Sequence, residues 1–142
     1  PGTVEPGTLC DIPVTSVDFY PTMLEMAGIK IPSELTLDGK SITSLLKQEG
    51  SIDRDTLYWH YPHYHRLGTT PFGAVRSQNY KLIEYYEDNS LELYNLSDDI
   101  GELHNLAGEM PEKAIELRNM LHAWLESVDA QMPFENPEYK EN

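Results

Sequence analysis

The sequence predicts an α+β fold in which a four-stranded antiparallel sheet packs against one long C-terminal helix. Four short segments of β-type composition follow one another between residues 56 and 95, and their links are short enough for a consecutive meander. A stripe of apolar side chains at helical spacing then runs through residues 111–128. Such a stripe needs a surface to cover, and the sheet supplies it.

The N-terminal part of the chain predicts an extended arm followed by two helices. Residues 1–15 are rich in Pro, Gly and Thr, which favours irregular, extended backbone. A helix is predicted over residues 18–27, with Asp18 as its cap and Gly28 as its left-handed stop. A shorter helix is predicted after Ser41. The buried side of the first helix is expected to consist of Met23, Leu24 and Ala27.

The predicted strands are Thr56–Tyr61, Phe72–Ser77, Tyr80–Tyr86 and Leu91–Asn95. Gln78-Asn79 forms a tight connection, and Glu87–Ser90 forms a second hairpin turn. The loop His63–Pro71 is longer and contains Gly68, so we expect it to be mobile and functional.

The terminal helix is predicted to begin at Pro111, a residue that suits the first helical position. Its covered face is expected to contain Ala114, Leu117, Leu121, Trp124, Leu125 and Val128. The predicted organisation is therefore an arm with two helices over residues 1–50, a sheet with its helix over residues 51–131, and a loosely held tail over residues 132–142.

Composition excludes several classes of partner. The chain has 142 residues, 24 of them acidic and 10 basic, which gives a net charge of −14. Nucleic acids and anionic membrane surfaces both require clustered Lys and Arg, so neither is expected as a partner. No apolar run approaches the roughly 20 residues of a membrane span. The start Pro1-Gly2-Thr3, without a methionine, is typical of a cut inside a longer protein.

The segment Tyr58–His65 has the most unusual composition in the chain, with three histidines and four aromatic rings in eight residues. In a strand, His60 would face one side of the sheet and Tyr61 the other, and Pro62 would end the strand. Two interpretations stay open for this segment. It forms either the rim of a site for a polar, anionic ligand or an amphipathic edge strand with surface imidazoles.

The candidate substrate-binding residues are His60, Tyr61, His63, Tyr64, His65 and Arg76. Arg76 either forms an ion pair with Glu84 or Glu92 across the sheet, or faces an anionic substrate group together with a histidine. A zinc site is disfavoured, because the spacing from His60 to His63 is three, Pro62 lies between them and no fourth ligand is near. No catalytic residue and no metal ligand is therefore predicted.

Several short motifs, in order, resemble the C-terminal part of the type I, arylsulfatase-like sulfatase family. The family's D-x-x-P-T-x-L-x-x-A-G helix matches residues 18–28, and its L-D-G-x-S turn matches residues 37–41. Its hairpin strands are similar to the segments around residues 74–76, 80–83 and 92–96. The D-x-x-E-x-x-N-L link before the terminal helix matches residues 99–106.

The resemblance implies that the catalytic groups belong to an N-terminal catalytic domain. The family hydrolyses sulfate esters with a formylglycine, made from the C/S-x-P-x-R motif, and with a calcium ion held by Asp and Asn. Cys10 is followed by Asp-Ile-Pro and does not match that motif. No cofactor site is therefore expected in this chain, which should be inactive by itself. Residues 1–50 would then belong to the edge of the catalytic domain.

The resemblance also implies a role, partners and a location. The family's C-terminal subdomain walls the substrate cleft, so the missing catalytic domain and a sulfated glycan or aryl sulfate are the expected partners. Sulfatases of this type are mostly exported, to the periplasm, the extracellular space or the lysosome. The alternative function is a stand-alone glycan-binding or oligomerisation module. Self-association of the isolated chain is expected if surfaces that pack on the missing domain are exposed.

Overall fold

The structure is a computed structural model that describes residues 2–66, 68–134 and 136–138. It contains two compact units, the first ending at Arg54 and the second beginning at Asp55. Among the residues described, no helix is both long enough and apolar enough to cross a membrane.

The first unit is built from a 3-10 turn and two helices, which are joined by irregular segments. The turn spans Ser16–Asp18, helix α1 spans Phe19–Met26 and the short helix α2 spans Thr43–Leu46. Pro21 and Thr22 are the buried residues of α1. The expected burial of Met23 and Ala27 is wrong, because both are exposed, Met23 by 60%, while Leu24 is half-buried. The helix is instead anchored through polar groups at its N-terminal end.

A hydrogen-bond network connects the start of α1 to the loop that precedes α2. The hydroxyl of Thr22 donates to the carbonyl oxygen of Asp18 at 2.6 Å and accepts from the backbone N–H of Ile42 at 3.0 Å. The carboxylate of Asp18 accepts from the backbone N–H of Lys40 at 2.9 Å. At Gly39 a Cβ atom would overlap the backbone of Val17, so only glycine permits this approach.

The second unit contains one antiparallel sheet with strand order β1-β2-β3-β4. The strands are β1 Thr56–Tyr61, β2 Phe72–Ser77, β3 Tyr80–Tyr85 and β4 Leu91–Asn95. The third strand thus ends one residue before its predicted end. Gln78 adopts a φ of 53° in the tight connection between β2 and β3, where Ser77 pairs with Tyr80.

Helix α3, which spans Pro111–Ser127, covers one face of the sheet. The buried core between them consists of Val75, Leu82, Leu93, Ala114, Leu117, Leu121 and Leu125. Tyr58 of β1 stacks on Trp124 with ring centroids 4.9 Å apart and planes 6° from parallel. Val128 lies beyond the end of the helix and is exposed, unlike the prediction. The predicted α+β class, with a four-stranded meander and a C-terminal helix, is confirmed.

Candidate functional site

The sheet separates the predicted site residues into different groups. His60 pairs with Gly73 in the same register row as Glu84, so its side chain lies on the face that α3 covers. Tyr61 lies on the opposite face, where its ring contacts His63 edge-on at 5.6 Å and Phe72 at 5.8 Å. The six candidates therefore do not form one cluster.

His60 is held by hydrogen bonds at both ring nitrogens. Its Nε2 lies 3.0 Å from the carbonyl oxygen of Gln131, and its Nδ1 lies 2.8 Å from the hydroxyl of Tyr86. A carbonyl oxygen can only accept, so in the neutral ring Nε2 carries the proton and Nδ1 accepts from Tyr86. Burial and the negative charge of Glu84 raise the pKa of Tyr86 to about 12, which keeps this hydroxyl protonated at neutral pH.

Gly73 makes the approach of Tyr86 to His60 possible. A Cβ atom at this position would overlap the hydroxyl of Tyr86 and would come within 3.1 Å of Leu121. The side chain of Tyr86 thus crosses the sheet over a residue that has no side chain of its own. Gly73 and Tyr86 together position the imidazole of His60.

A cavity of about 290 Å³ opens beside this hydrogen bond, at the end of the sheet where β1 leaves it. Four separate segments meet there, and they contribute the lining residues Tyr64, Pro71, Tyr86, Glu87, Pro133 and Phe134. The hydroxyl of Tyr64 donates to Glu87 at 2.5 Å, which connects the loop after β1 to the turn after β3. Of the predicted residues, Tyr64 lines the cavity, and His60 is connected to it by the hydrogen bond to Tyr86.

His63 and His65 lie on the exposed part of the same loop. The backbone N–H of His65 donates to the carbonyl oxygen of Thr69, and the N–H of Gly68 donates back to the carbonyl of His65, both at 2.9 Å. These bonds hold the backbone of His65, Gly68 and Thr69 together.

Arg76 lies on the sheet face opposite α3, next to Leu57 and Lys81. Its Nε is buried and has no hydrogen-bond partner within the described ranges. The predicted ion pairs across the sheet are not formed, since Glu84 points to the other face and Glu92 accepts from Tyr85. The register of the hairpin explains this result, because it places Glu84 opposite Gly73 rather than beside Arg76.

Sequence reasoning missed the buried carboxylate of Glu84, which is 2% exposed. It accepts from Nε of Arg118 at 2.8 Å and lies 2.5 Å from Nε2 of His122. A signal was present in the sequence. Glu84 continues the inward-facing alternation that begins at Tyr80, and its two partners stand four residues apart on α3.

No set of three or more His, Cys, Asp or Glu side chains is arranged to hold a metal ion in the described parts of the chain. The donor set that the family resemblance implies for calcium therefore does not fit these residues, and no chemical step is assigned to a metal here. The polar groups of the cavity can donate and accept hydrogen bonds.

Comparison with known proteins identifies the family. The C-terminal family of N-sulphoglucosamine sulphohydrolase matches residues 1–131. A sulfatase of Formosa agariphila is 41% identical over 140 residues, and the match covers 88% of this chain and 25% of that protein. An N-acetylglucosamine-6-O-sulfatase of Bacteroides thetaiotaomicron is 31% identical, with 99% of this chain and 25% of that protein covered.

The solved structure of BT4656 in complex with its substrate, D-glucosamine-2-N,6-O-disulfate, has the same fold. It superposes with a TM-score of 0.66 at 32% identity and covers 82% of this chain and 24% of the other. The chain thus spans about a quarter of the length of the relatives that it matches. It belongs to the sulfatase family and corresponds to the C-terminal portion of those enzymes.

Proposed function

We propose that this chain forms part of the substrate-cleft wall of a sulfuric ester hydrolase. The observation that carries the proposal is the meeting of Tyr64, Tyr86 and Glu87 at one cavity, beside the exposed imidazoles of His63 and His65. Ligand sites are typically concave, with a few convergent polar groups among apolar side chains. The loop after β1 would bring these groups to the edge of the cleft.

In this proposal the chain binds and orients the substrate but does not break the ester bond. The family's formylglycine and calcium would belong to the N-terminal catalytic domain, which is the chain's main partner. His63 and His65 would donate hydrogen bonds to polar groups of the substrate, and Tyr61 and Tyr64 would contact its ring. Arg76 would pair with an anionic group, because its buried Nε has no hydrogen-bond partner among the described residues. By itself, the chain would have no measurable sulfatase activity.

The proposed substrate is a sulfated sugar rather than a simple aryl sulfate. Two relatives support this choice through what they act on or bind, an N-acetylglucosamine-6-O-sulfatase and the complex with D-glucosamine-2-N,6-O-disulfate. Sulfatases of the type that the sequence resembles are mostly exported, so we propose an exported enzyme, in the periplasm, the extracellular space or the lysosome.

The test uses the whole sulfatase that carries this C-terminal part, with the substitutions His63→Ala and His65→Ala. Each lost hydrogen bond should raise KM for D-glucosamine-2-N,6-O-disulfate about threefold to tenfold, with a smaller effect on an aryl sulfate that lacks the sugar. His104→Ala is the matched control, since His104 is an exposed imidazole on another loop, paired with Glu109. Unchanged kinetics on both substrates would reject the cleft-wall function.

A second candidate, a self-associating module, is favoured by the exposed apolar side chains of α1. Phe19, Met23 and Met26 are exposed by 56%, 60% and 62%, although the helix also has buried residues. Patches of this kind are typical of protein interfaces. Sedimentation velocity of the isolated chain tests this: a concentration-dependent dimer that Met23→Ser removes would support it, and a monomer at all concentrations would reject it.

A further inference from the structure

The cavity at the end of the sheet has an aromatic mouth. Phe134 is 90% exposed and Tyr64 is 70% exposed, although both line the cavity. Two large rings held in water at one opening favour a ligand with a flat apolar face, because its binding would remove that surface from solvent. Pro71 and Pro133 add rigid walls to the same cavity.

The polar atoms in the cavity accept hydrogen bonds. The proton of the Tyr86 hydroxyl is used in the bond to His60, so its oxygen can only accept a further hydrogen bond. Glu87 accepts from Tyr64 with Oε1, and its Oε2 makes no hydrogen bond with any other described residue. A ligand that fits these two atoms must supply donors, such as hydroxyl groups.

The charge of the cavity opposes anions. Glu87 lines it, and the described residues of the lining include no Lys, Arg or His. Glu84, the next carboxylate, is already paired with Arg118 on α3. A sulfate in this cavity would face the carboxylate of Glu87 at close range, with no cation among the described lining residues to compensate it. The volume of 290 Å³ lies at the lower limit of ligand pockets, which start at about 300 Å³, and suits one small ring.

We infer that this cavity is a subsite for one neutral, unsulfated sugar ring, which stacks on Phe134 and Tyr64 and donates hydroxyl hydrogen bonds to Tyr86 and Glu87. The inference rests on the proposed function, because it assigns a sugar next to the sulfated one in the same cleft. The subsite thereby selects a glycan in which a sulfated unit has an unsulfated neighbour.

The experiment titrates the 142-residue chain with N-acetylglucosamine and separately with its 6-O-sulfate, and follows amide shifts in ¹H–¹⁵N spectra. We expect the neutral sugar to move the signals of Tyr64, Tyr86 and Phe134 with a Kd of about 1 mM, and the sulfated sugar to bind more weakly. Saturation at residues elsewhere, no shift at all, or tighter binding of the sulfated sugar would each overturn the subsite.

Two variants and a matched control separate binding from folding. Phe134→Ala should weaken binding about fivefold without affecting the fold, because this ring is almost fully exposed. Tyr86→Phe keeps the buried ring but removes the acceptor, and it should also weaken binding about fivefold. Leu103→Ala, at an equally exposed apolar position of the same unit, should leave the Kd unchanged. A Phe134→Ala chain that binds like wild type would overturn the inference.

The sugar titration and the kinetic test of the cleft wall can fail separately. Sugar binding by the chain, together with unchanged kinetics of the His63→Ala and His65→Ala enzymes, would reject the cleft-wall function and keep the cavity as a sugar site. Altered kinetics in those enzymes, with no binding of the neutral sugar by the chain, would keep the cleft wall and reject the subsite.

Discussion

Arg54 binds both carboxylate oxygens of Asp18, with its Nη1 2.6 Å from Oδ1 and its Nη2 2.7 Å from Oδ2. The same carboxylate, which is fully buried, accepts from the backbone N–H groups of Thr15 and Lys40. Burial by itself raises the pKa of Asp18, but the hydrogen bonds from Arg54, Lys40 and Thr15 outweigh it and lower the pKa from 3.8 to about 2.

The first prediction concerns the loss of this carboxylate. Asp18→Asn keeps the shape of the side chain but leaves the mostly buried guanidinium of Arg54 without its charge partner, so the first unit should lose about 3 kcal/mol of stability. Faster hydrogen exchange at the amides of Lys40 and Ile42 measures this loss. Asp53→Asn is the control, because Asp53 is exposed and its pairing with Lys40 is worth under about 1 kcal/mol. Equal exchange in the two variants would contradict the prediction.

The second prediction is the pH dependence of the same unit. The pKa of Asp18 is lower in the folded state than the ordinary 3.8, so its contribution is complete above pH 3.8 and is lost as the pH falls towards 2. Over this range the free energy of unfolding of the wild type should fall by about 2 kcal/mol. The Asp18→Asn chain lacks the titrating carboxylate and should not show this decrease. Exchange of the Lys40 amide at several pH values checks this. Parallel pH profiles for the two chains would show that Asp18 is not the group that titrates.

The fate of Asp18 shows which features could be predicted from the sequence. Its position before a helix predicts a cap, but its side chain makes no capping hydrogen bond to α1 and accepts instead from the backbone N–H of Thr15. Its main partner, Arg54, is 36 residues away, and no local pattern relates the two. The strands, in contrast, are predicted from the alternation of apolar and polar residues and from tight turns, which are features of a few consecutive residues. Their predicted bounds are accurate to one residue for this reason.

The candidate site was only partly predictable, because it depends on sheet register. The Gln78-Asn79 turn pairs Ser77 with Tyr80, and counting outward from that pair puts Glu84 opposite Gly73. The expected pair of Arg76 with Glu84 was therefore excluded by the predicted hairpin itself. The contact of Tyr86 with His60 could not be derived in this way, since it crosses three strands over a glycine.

The third prediction concerns Glu84, which connects β3 to α3. Glu84→Ala should cost about 2–3 kcal/mol, somewhat less than for a fully buried ion pair, because Arg118 and His122 can both reach water once the carboxylate is gone. Urea unfolding followed by the fluorescence of Trp59 and Trp124 measures the free energy of unfolding. Glu116→Ala, which removes only an exposed pair with Lys113 on the same helix, should cost under about 0.5 kcal/mol. A similar cost for both variants would count against the bridging role.

The fourth prediction concerns the glycine beneath the Tyr86 hydroxyl. Gly73→Ala should destabilise the second unit by about 1–3 kcal/mol, because the new methyl group overlaps that hydroxyl and crowds Leu121. Gly108→Ala is the control, since a Cβ atom there has open space. The hydrogen bond to His60 should be lost in the Gly73→Ala chain, and the ring signals of His60 in NMR spectra should report the change.

A double substitution separates the clash from a general effect of alanine in a strand. Tyr86→Phe removes the oxygen that the new methyl group would overlap, so Gly73→Ala should cost less in a Tyr86→Phe background than in the wild type. The residual cost should reflect Leu121 and the ring carbon that carries the hydroxyl, both 3.1 Å from the added atom. Additive free energies of unfolding for the two substitutions would mean that the Tyr86 hydroxyl does not determine the choice of glycine at position 73.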